Sequence, residues 1–121
     1  MNTSIYRNAP VDKDRVMNPT PEEAKTMREH FQYLKDKLAA GELVIAGPCT
    51  DAAFGIVVFH AESDDAAKQF MDNDPAIREG LMTAELHPFR VSLLAQTPVS
   101  YEHNPHYRQS AVKPQPLGVG I

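Results

Sequence analysis

Gly41-Glu42-Leu43-Val44-Ile45-Ala46-Gly47-Pro48, separated by five residues from Phe54-Gly55-Ile56-Val57-Val58-Phe59, is the stretch whose reading decides the fold. Leu43 to Ala46 is too short and too β-branched for a helix, and Gly47-Pro48 closes it, so it reads as a strand. Cys49 to Ala53 reads as a loop. Phe54 to Phe59 is an unbroken apolar run, as expected of a central strand buried on both faces. Two strands therefore follow one another directly, and the elements on either side fix the arrangement.

Upstream, Thr20-Pro21-Glu22-Glu23 combines an N-cap threonine, a proline at the first helical position and a glutamate three residues after the cap. Ala24, Met27, Phe31, Leu34 and Leu38 then recur at helical spacing, and Gly41 stands where a left-handed cap is wanted, which predicts a helix over 21–40. Downstream, Ser63 with Asp64 and Asp65 is a second N-cap signal. Ala66, Ala67, Phe70 and Met71 give a shorter helix its apolar face, and Asn73-Asp74-Pro75 should end it. Residues 76–80 fit one further turn. Ala84 to Leu94 has strand character, with Phe89, Val91 and Leu93 at alternate positions and Pro88 suited to an edge or bulge. From residue 20 the order is helix, strand, strand, helix, strand. Thr3 to Asn8 is the one candidate for an opening strand, although its apolar alternation is poor, and residues 10–19 read as a loop. The whole predicts an α+β, ferredoxin-like βαββαβ domain over residues 1–95, an antiparallel sheet with two helices on one face.

The 121 residues suit one domain with a single core. A net charge of −4, with no basic run interleaved with aromatics, argues against a nucleic-acid partner. No apolar stretch approaches the roughly 20 residues of a membrane helix, which predicts no membrane partner. Met1 to Pro10 lacks the features of a secretory signal. Cys49 is the only cysteine, which excludes an internal disulfide and suits a reducing cytoplasm. Residues 96–121 form a proline-rich extension that cannot build a core of its own. It is read either as draped over the domain or a partner subunit, or as disordered.

From Thr20 to Phe89 the chain resembles the YciI-like (YCII-related) family. The resemblance is carried by Thr20-Pro21-Glu22-Glu23, by His30 in Glu29-His30-Phe31-Gln32-Tyr33-Leu34, and by Gly41 to Pro48. It continues through the strand from Gly55 to Phe59 and Asn73-Asp74-Pro75-Ala76-Ile77-Arg78-Glu79-Gly80. It implies a ferredoxin-like fold whose sheets pair in a homodimer, the dimeric α/β barrel, with a cleft in each subunit. It also implies an active site built on a histidine and an aspartate, which map to His30 and Asp74. A dehydrochlorinase of chlorinated aromatic breakdown is similar to the family, and muconolactone isomerases share the barrel type.

The residues themselves bear on that site. In βαββαβ topology the two helix-bearing strands are expected to be parallel neighbours, so both helices should start at one edge of the sheet. His30 and Asp74 then both lie about 15 Å from it. His30 also flanks the apolar stripe, between Met27 and Leu34. A carboxylate beside an imidazole fixes its tautomer and raises its proton affinity, which prepares it for proton transfer near neutral pH. The competing reading is a half-buried histidine in a structural bond to a helix-terminal aspartate. Asp74 before Pro75 is also a common helix stop.

Four further residues are candidates for contact with a substrate. Gly47 and Pro48 form a tight turn or set backbone N–H groups beside the cleft. Asp51 is a solvated loop acid or a cleft acid, and Tyr33 is a core ring with a wet hydroxyl or faces the ligand. Cys49 as a nucleophile lacks an orienting third residue. His103 and His106 lie in a proline-interrupted tail without cysteines, and no metal site is assigned. His60 and His87 receive no role.

These readings lead to an enzyme without a cofactor that acts on a small cyclic or aromatic molecule by proton transfer, as a lyase or an isomerase. The alternative is a non-catalytic domain that binds a small ligand or another protein. A homodimer is expected in either case, because the sheet face away from the helices needs cover. Val57, Phe59 and alternate residues of Phe89 to Leu93 are the expected contributors.

Overall fold

The computed structural model describes residues 2–95, so the tail, with His103 and His106, lies outside the described residues. The elements run β1 (Asn2–Pro10), α1 (Lys13–Met17), α2 (Pro21–Ala39), β2 (Leu43–Pro48), β3 (Gly55–Ala61), α3 (Asp64–Asp72), α4 (Pro75–Arg78) and β4 (Met82–Pro88). The strands form one sheet in the order β2-β3-β1-β4, and every neighbouring pair is antiparallel. This is the ferredoxin-like α+β arrangement, with α1 and α4 as short additions. No helix among the described residues is long and apolar enough to cross a membrane.

The local signals act as their chemistry requires. Thr20 and Glu23 form a reciprocal capping box ahead of Pro21, and α2 ends before Gly41, whose φ of 79° is left-handed. Ser63 caps α3 by accepting from the Ala66 N–H. The expected loop over residues 10–19 instead contains α1, capped by the Asp12 side chain and pinned by buried Val16. Five residues are too few to show a helical repeat, so periodicity could not reveal it.

β1 forms where Thr3 to Asn8 was the candidate, and its inward positions explain the poor pattern. Ser4, Tyr6 and Asn8 are the buried residues of the strand, so its core face is largely polar. β4 stops at Pro88, short of the expected Leu94. Pro88 has no N–H for the ladder, and beyond it Leu93 and Leu94 are exposed.

Two further expectations are corrected. β1 and β3, the strands that lead into the main helices, are antiparallel rather than parallel, so α2 and α3 start at opposite ends of the sheet. His30 still comes level with Asp74, because the tenth residue of a nineteen-residue helix is its midpoint from either end. Val57 and Phe59 do not belong to the open face. Both are fully buried in the core beneath the helices, with Tyr6, Leu34 and Phe70. The rings of Phe59 and Phe70 stack at 4.0 Å, and Tyr6 meets both edge-on. The opposite face carries Ile5, Val58 and Ile45, which lie abreast in the strand register, with Ile56 beside them.

Candidate active site

Three buried polar side chains from three elements meet beneath α2. His30 comes from the middle of α2, Asp74 from the junction of α3 and α4, and Tyr6 from the centre of β1. All three are 0% exposed. His30 Nδ1 lies 2.5 Å from Asp74 Oδ1, and the Tyr6 hydroxyl donates to Asp74 Oδ2 at 2.7 Å. Asp74 Oδ1 also accepts the Ala76 backbone N–H at 3.0 Å.

The Asn73-Asp74-Pro75 sequence creates this arrangement. α3 ends at Asp72, and Pro75 begins a new helical turn at a position where its missing N–H goes unneeded. Asp74 is therefore the N-cap of α4, extended at φ −62° and ψ 122°, and its side chain turns back under the first turn. A carboxylate taken wholly out of water is costly unless donors surround it. Here an imidazole, a phenol and an amide supply them. Since a carboxylate only accepts, Nδ1 is the donor of this pair wherever Asp74 is ionised.

The surroundings act on the two tyrosines. Burial pushes the Tyr6 phenol far above its ordinary pKa, and the negative charge of Asp74 adds to that. Tyr33, one turn after His30 on α2, is pushed up to about 12, first by burial and then by the same carboxylate. Its hydroxyl donates to the Phe70 carbonyl at 2.7 Å. Tyr33 and Phe70 line a cleft of about 410 Å³ between α2 and α3, together with Lys37, Glu42, Gln69 and Asn73. The ammonium of Lys37 lies 5.4 Å from the Tyr33 ring centroid and 3.4 Å from Glu42.

The other expected residues lie apart from this cluster. Gly47 and Pro48 line a smaller depression of about 280 Å³ with Cys49 and Phe54, at the far end of β2. Asp51 is exposed, and its carboxylate accepts the N–H of Ala53 within its own loop. His60 Nδ1 is 3.0 Å from the Thr3 hydroxyl, and His87 is 3.1 Å from Glu85. Among the described residues, no group of three or more His, Cys, Asp or Glu could hold a metal ion.

Tyr6 is the residue that sequence reasoning missed. Its signal was the alternation of Ser4, Tyr6 and Asn8 in a strand that otherwise looked unconvincing.

Comparison with known proteins adds two findings. The YCII-related domain matches residues 6–90. Among solved structures, 5-chloro-2-hydroxyhydroquinone dehydrochlorinase (TftG) from Burkholderia phenoliruptrix AC1100, in complex with 2,5-dihydroxybenzoquinone, is similar in fold. The TM-score is 0.56 at 22% identity, and the match covers 74% of this chain and 94% of that one. No curated protein matches the sequence.

Proposed function

The chain belongs to the YCII-related family, and from that premise we propose that it is a cofactor-independent enzyme of small cyclic or aromatic molecules. Its chemistry is general acid–base catalysis by His30 and Asp74, as a lyase that eliminates HX or as an isomerase. The observation that carries this reading is the 2.5 Å bond between His30 Nδ1 and Asp74 Oδ1 in a site closed to water. Such a bond orients the imidazole and stabilises its protonated form, as a base that takes and returns a proton requires. In an elimination the His30 imidazole takes the proton while the leaving group departs with its bonding pair, so no oxidant or reductant is needed. The fold neighbour, a dehydrochlorinase bound to a dihydroxybenzoquinone, supports halogenated hydroxyquinols as the first compounds to try.

Tyr33, in the cleft one turn from His30, is the best-supported substrate contact. Gly47, Pro48 and Asp51 remain proposed contacts at the second depression. We further propose a cytoplasmic homodimer that buries the open sheet face through Ile5, Ile45 and Ile56. Ile45, which is 56% exposed, is the residue to change. Ile45→Glu should halve the mass read by light scattering, and a wild-type monomer at micromolar concentration would count against the dimer.

One observation favours a second reading. His30 and Asp74 are both fully buried in the single chain, as expected of a structural network in a binding domain. Halide release or isomerisation across a panel of small cyclic substrates, in wild type and His30→Gln, separates the two. Turnover that disappears in His30→Gln while ligand affinity persists supports the enzyme. Ligand binding without turnover in wild type leaves the binding domain.

A further inference from the structure

We propose that Tyr6 is a positioning residue of this site, which sets how His30 and Asp74 share their proton by holding the far oxygen of the carboxylate. The inference rests on the acid–base reading above and extends it to a residue outside the pair.

Asp74 has two inequivalent oxygens. Oδ1 faces His30 Nδ1 and the Ala76 N–H, whereas Oδ2 accepts from the Tyr6 hydroxyl at 2.7 Å. With no exposed surface on any of the three side chains, each donor has an outsized effect on carboxylate basicity. Burial by itself favours the neutral pair, which in the imidazolium state would draw the shared proton from Nδ1 to Oδ1 and leave a neutral imidazole carrying its proton on Nε2. The phenol counters that pull, because it stabilises the carboxylate while its own ionisation is suppressed by burial and by the Asp74 charge. It therefore stays a donor across the working pH range.

The ring is fixed for this task. Tyr6 sits between the Val57 and Leu86 register partners and meets Phe59 and Phe70 edge-on, so its hydroxyl has one direction available. The other titratable groups around the pair differ in kind. Tyr33 on α2 feels the Asp74 charge, but its hydroxyl goes to the Phe70 carbonyl. Glu42 and Arg78 act on Tyr33 in opposite senses. On α3, Lys68 and Asp72 pair with each other at the surface.

The test is Tyr6→Phe, read by NMR of the His30 ring and by the pH profile of turnover. Losing the donor makes the carboxylate more basic, so the Nδ1 proton resonance should move. The acidic limb of the profile should shift to higher pH by about one unit. Asp74→Asn should shift the same limb the opposite way. A residue that merely packs would lower the melting temperature and leave the ring signals and the limb in place, which would overturn the proposal.

If Tyr6→Phe does not fold, 3-fluorotyrosine incorporated at position 6 alone, in an otherwise unchanged chain, strengthens the Tyr6 donor without removing it. The limb should then move to lower pH, and an unmoved Nδ1 resonance would overturn the proposal. The ring signals are readable without a substrate. A Tyr6 effect on them with no turnover would sink the enzyme reading alone, whereas turnover with no Tyr6 effect would sink only this inference.

Discussion

Glu23 and Asp74 are both carboxylates that close helix N-termini, and each holds a nitrogen base at nearly the same distance. Glu23 Oε1 accepts the Thr20 N–H at 3.0 Å, and its Oε2 meets Arg15 Nε at 2.6 Å. Asp74 accepts the Ala76 N–H at 3.0 Å and meets His30 Nδ1 at 2.5 Å. Bond lengths alone cannot tell the two apart. What differs is water. The Arg15 side chain is 47% exposed, so solvent and salt screen its pair and replace any bond that breaks. Asp74 and His30 have no exposed surface, so nothing replaces a lost partner there. The same set of bonds trims a surface cap in one place and ties α2, β1 and the start of α4 together in the other.

The largest expected effect breaks this comparison directly. Asp74→Ala strips His30 and Tyr6 of their shared acceptor and removes the cap of α4, and it should cost about 3–5 kcal/mol of stability. Arg15→Ala should leave the midpoint of urea unfolding nearly where it was. Equal losses in the two variants would mean that burial does not separate the sites.

Alkaline pH sharpens the same contrast from the side of the donors. Tyr33 is raised from its ordinary 10.0 to about 12, and Tyr6 is raised further. A group whose pKa is raised by folding contributes stability that is fully present below the unfolded value, about pH 10, and lost as pH climbs through the folded one. Unfolding should therefore set in above about pH 10, and in a Tyr101→Phe/Tyr107→Phe variant, which keeps only Tyr6 and Tyr33, tyrosinate absorbance should rise together with the loss of helical circular dichroism. Tyrosinate that forms well before the helices melt would show that the two phenols are less enclosed than the structure has them.

How much of this was legible beforehand follows from where each signal resides. The caps at Thr20 and Ser63, the stripe from Met27 to Leu38 and the apolar run at β3 are local, so they show in the chain itself. The His30 and Asp74 pairing showed only as a matching level along two helices. It holds although β1 and β3 are antiparallel, because His30 lies at the midpoint of α2. The Tyr6 contact itself was not legible, although the alternation of Ser4, Tyr6 and Asn8 marks the face that carries it. It joins residues 68 apart in sequence, and β1 hides its role because the face it turns inward is polar. The open face was misassigned for a related reason. An unbroken apolar strand gives no alternation from which to decide that Val57 and Phe59 face the helices while Val58 faces away.

The smallest effect is expected at Glu23, where it tests the exposed half of the comparison. Its carboxyl is held below the ordinary range, first by the Thr20 backbone N–H and then by Arg15. A depressed acid contributes stability that is present above its unfolded value, about 4.3 for glutamate, and lost as pH falls through the folded one. Acidification below that value should loosen the first turn of α2. Amide exchange at Thr20, whose N–H donates to Glu23, should quicken relative to its intrinsic rate while exchange in the middle of α2 stays slow. The change should follow Glu23 and vanish in Glu23→Gln, whose amide still reaches the cap without titrating. If Thr20 exchange in Glu23→Gln kept the wild-type acid dependence, the cap would be responding to global unfolding. The surface carboxylate would then be no more than a reporter of the buried one.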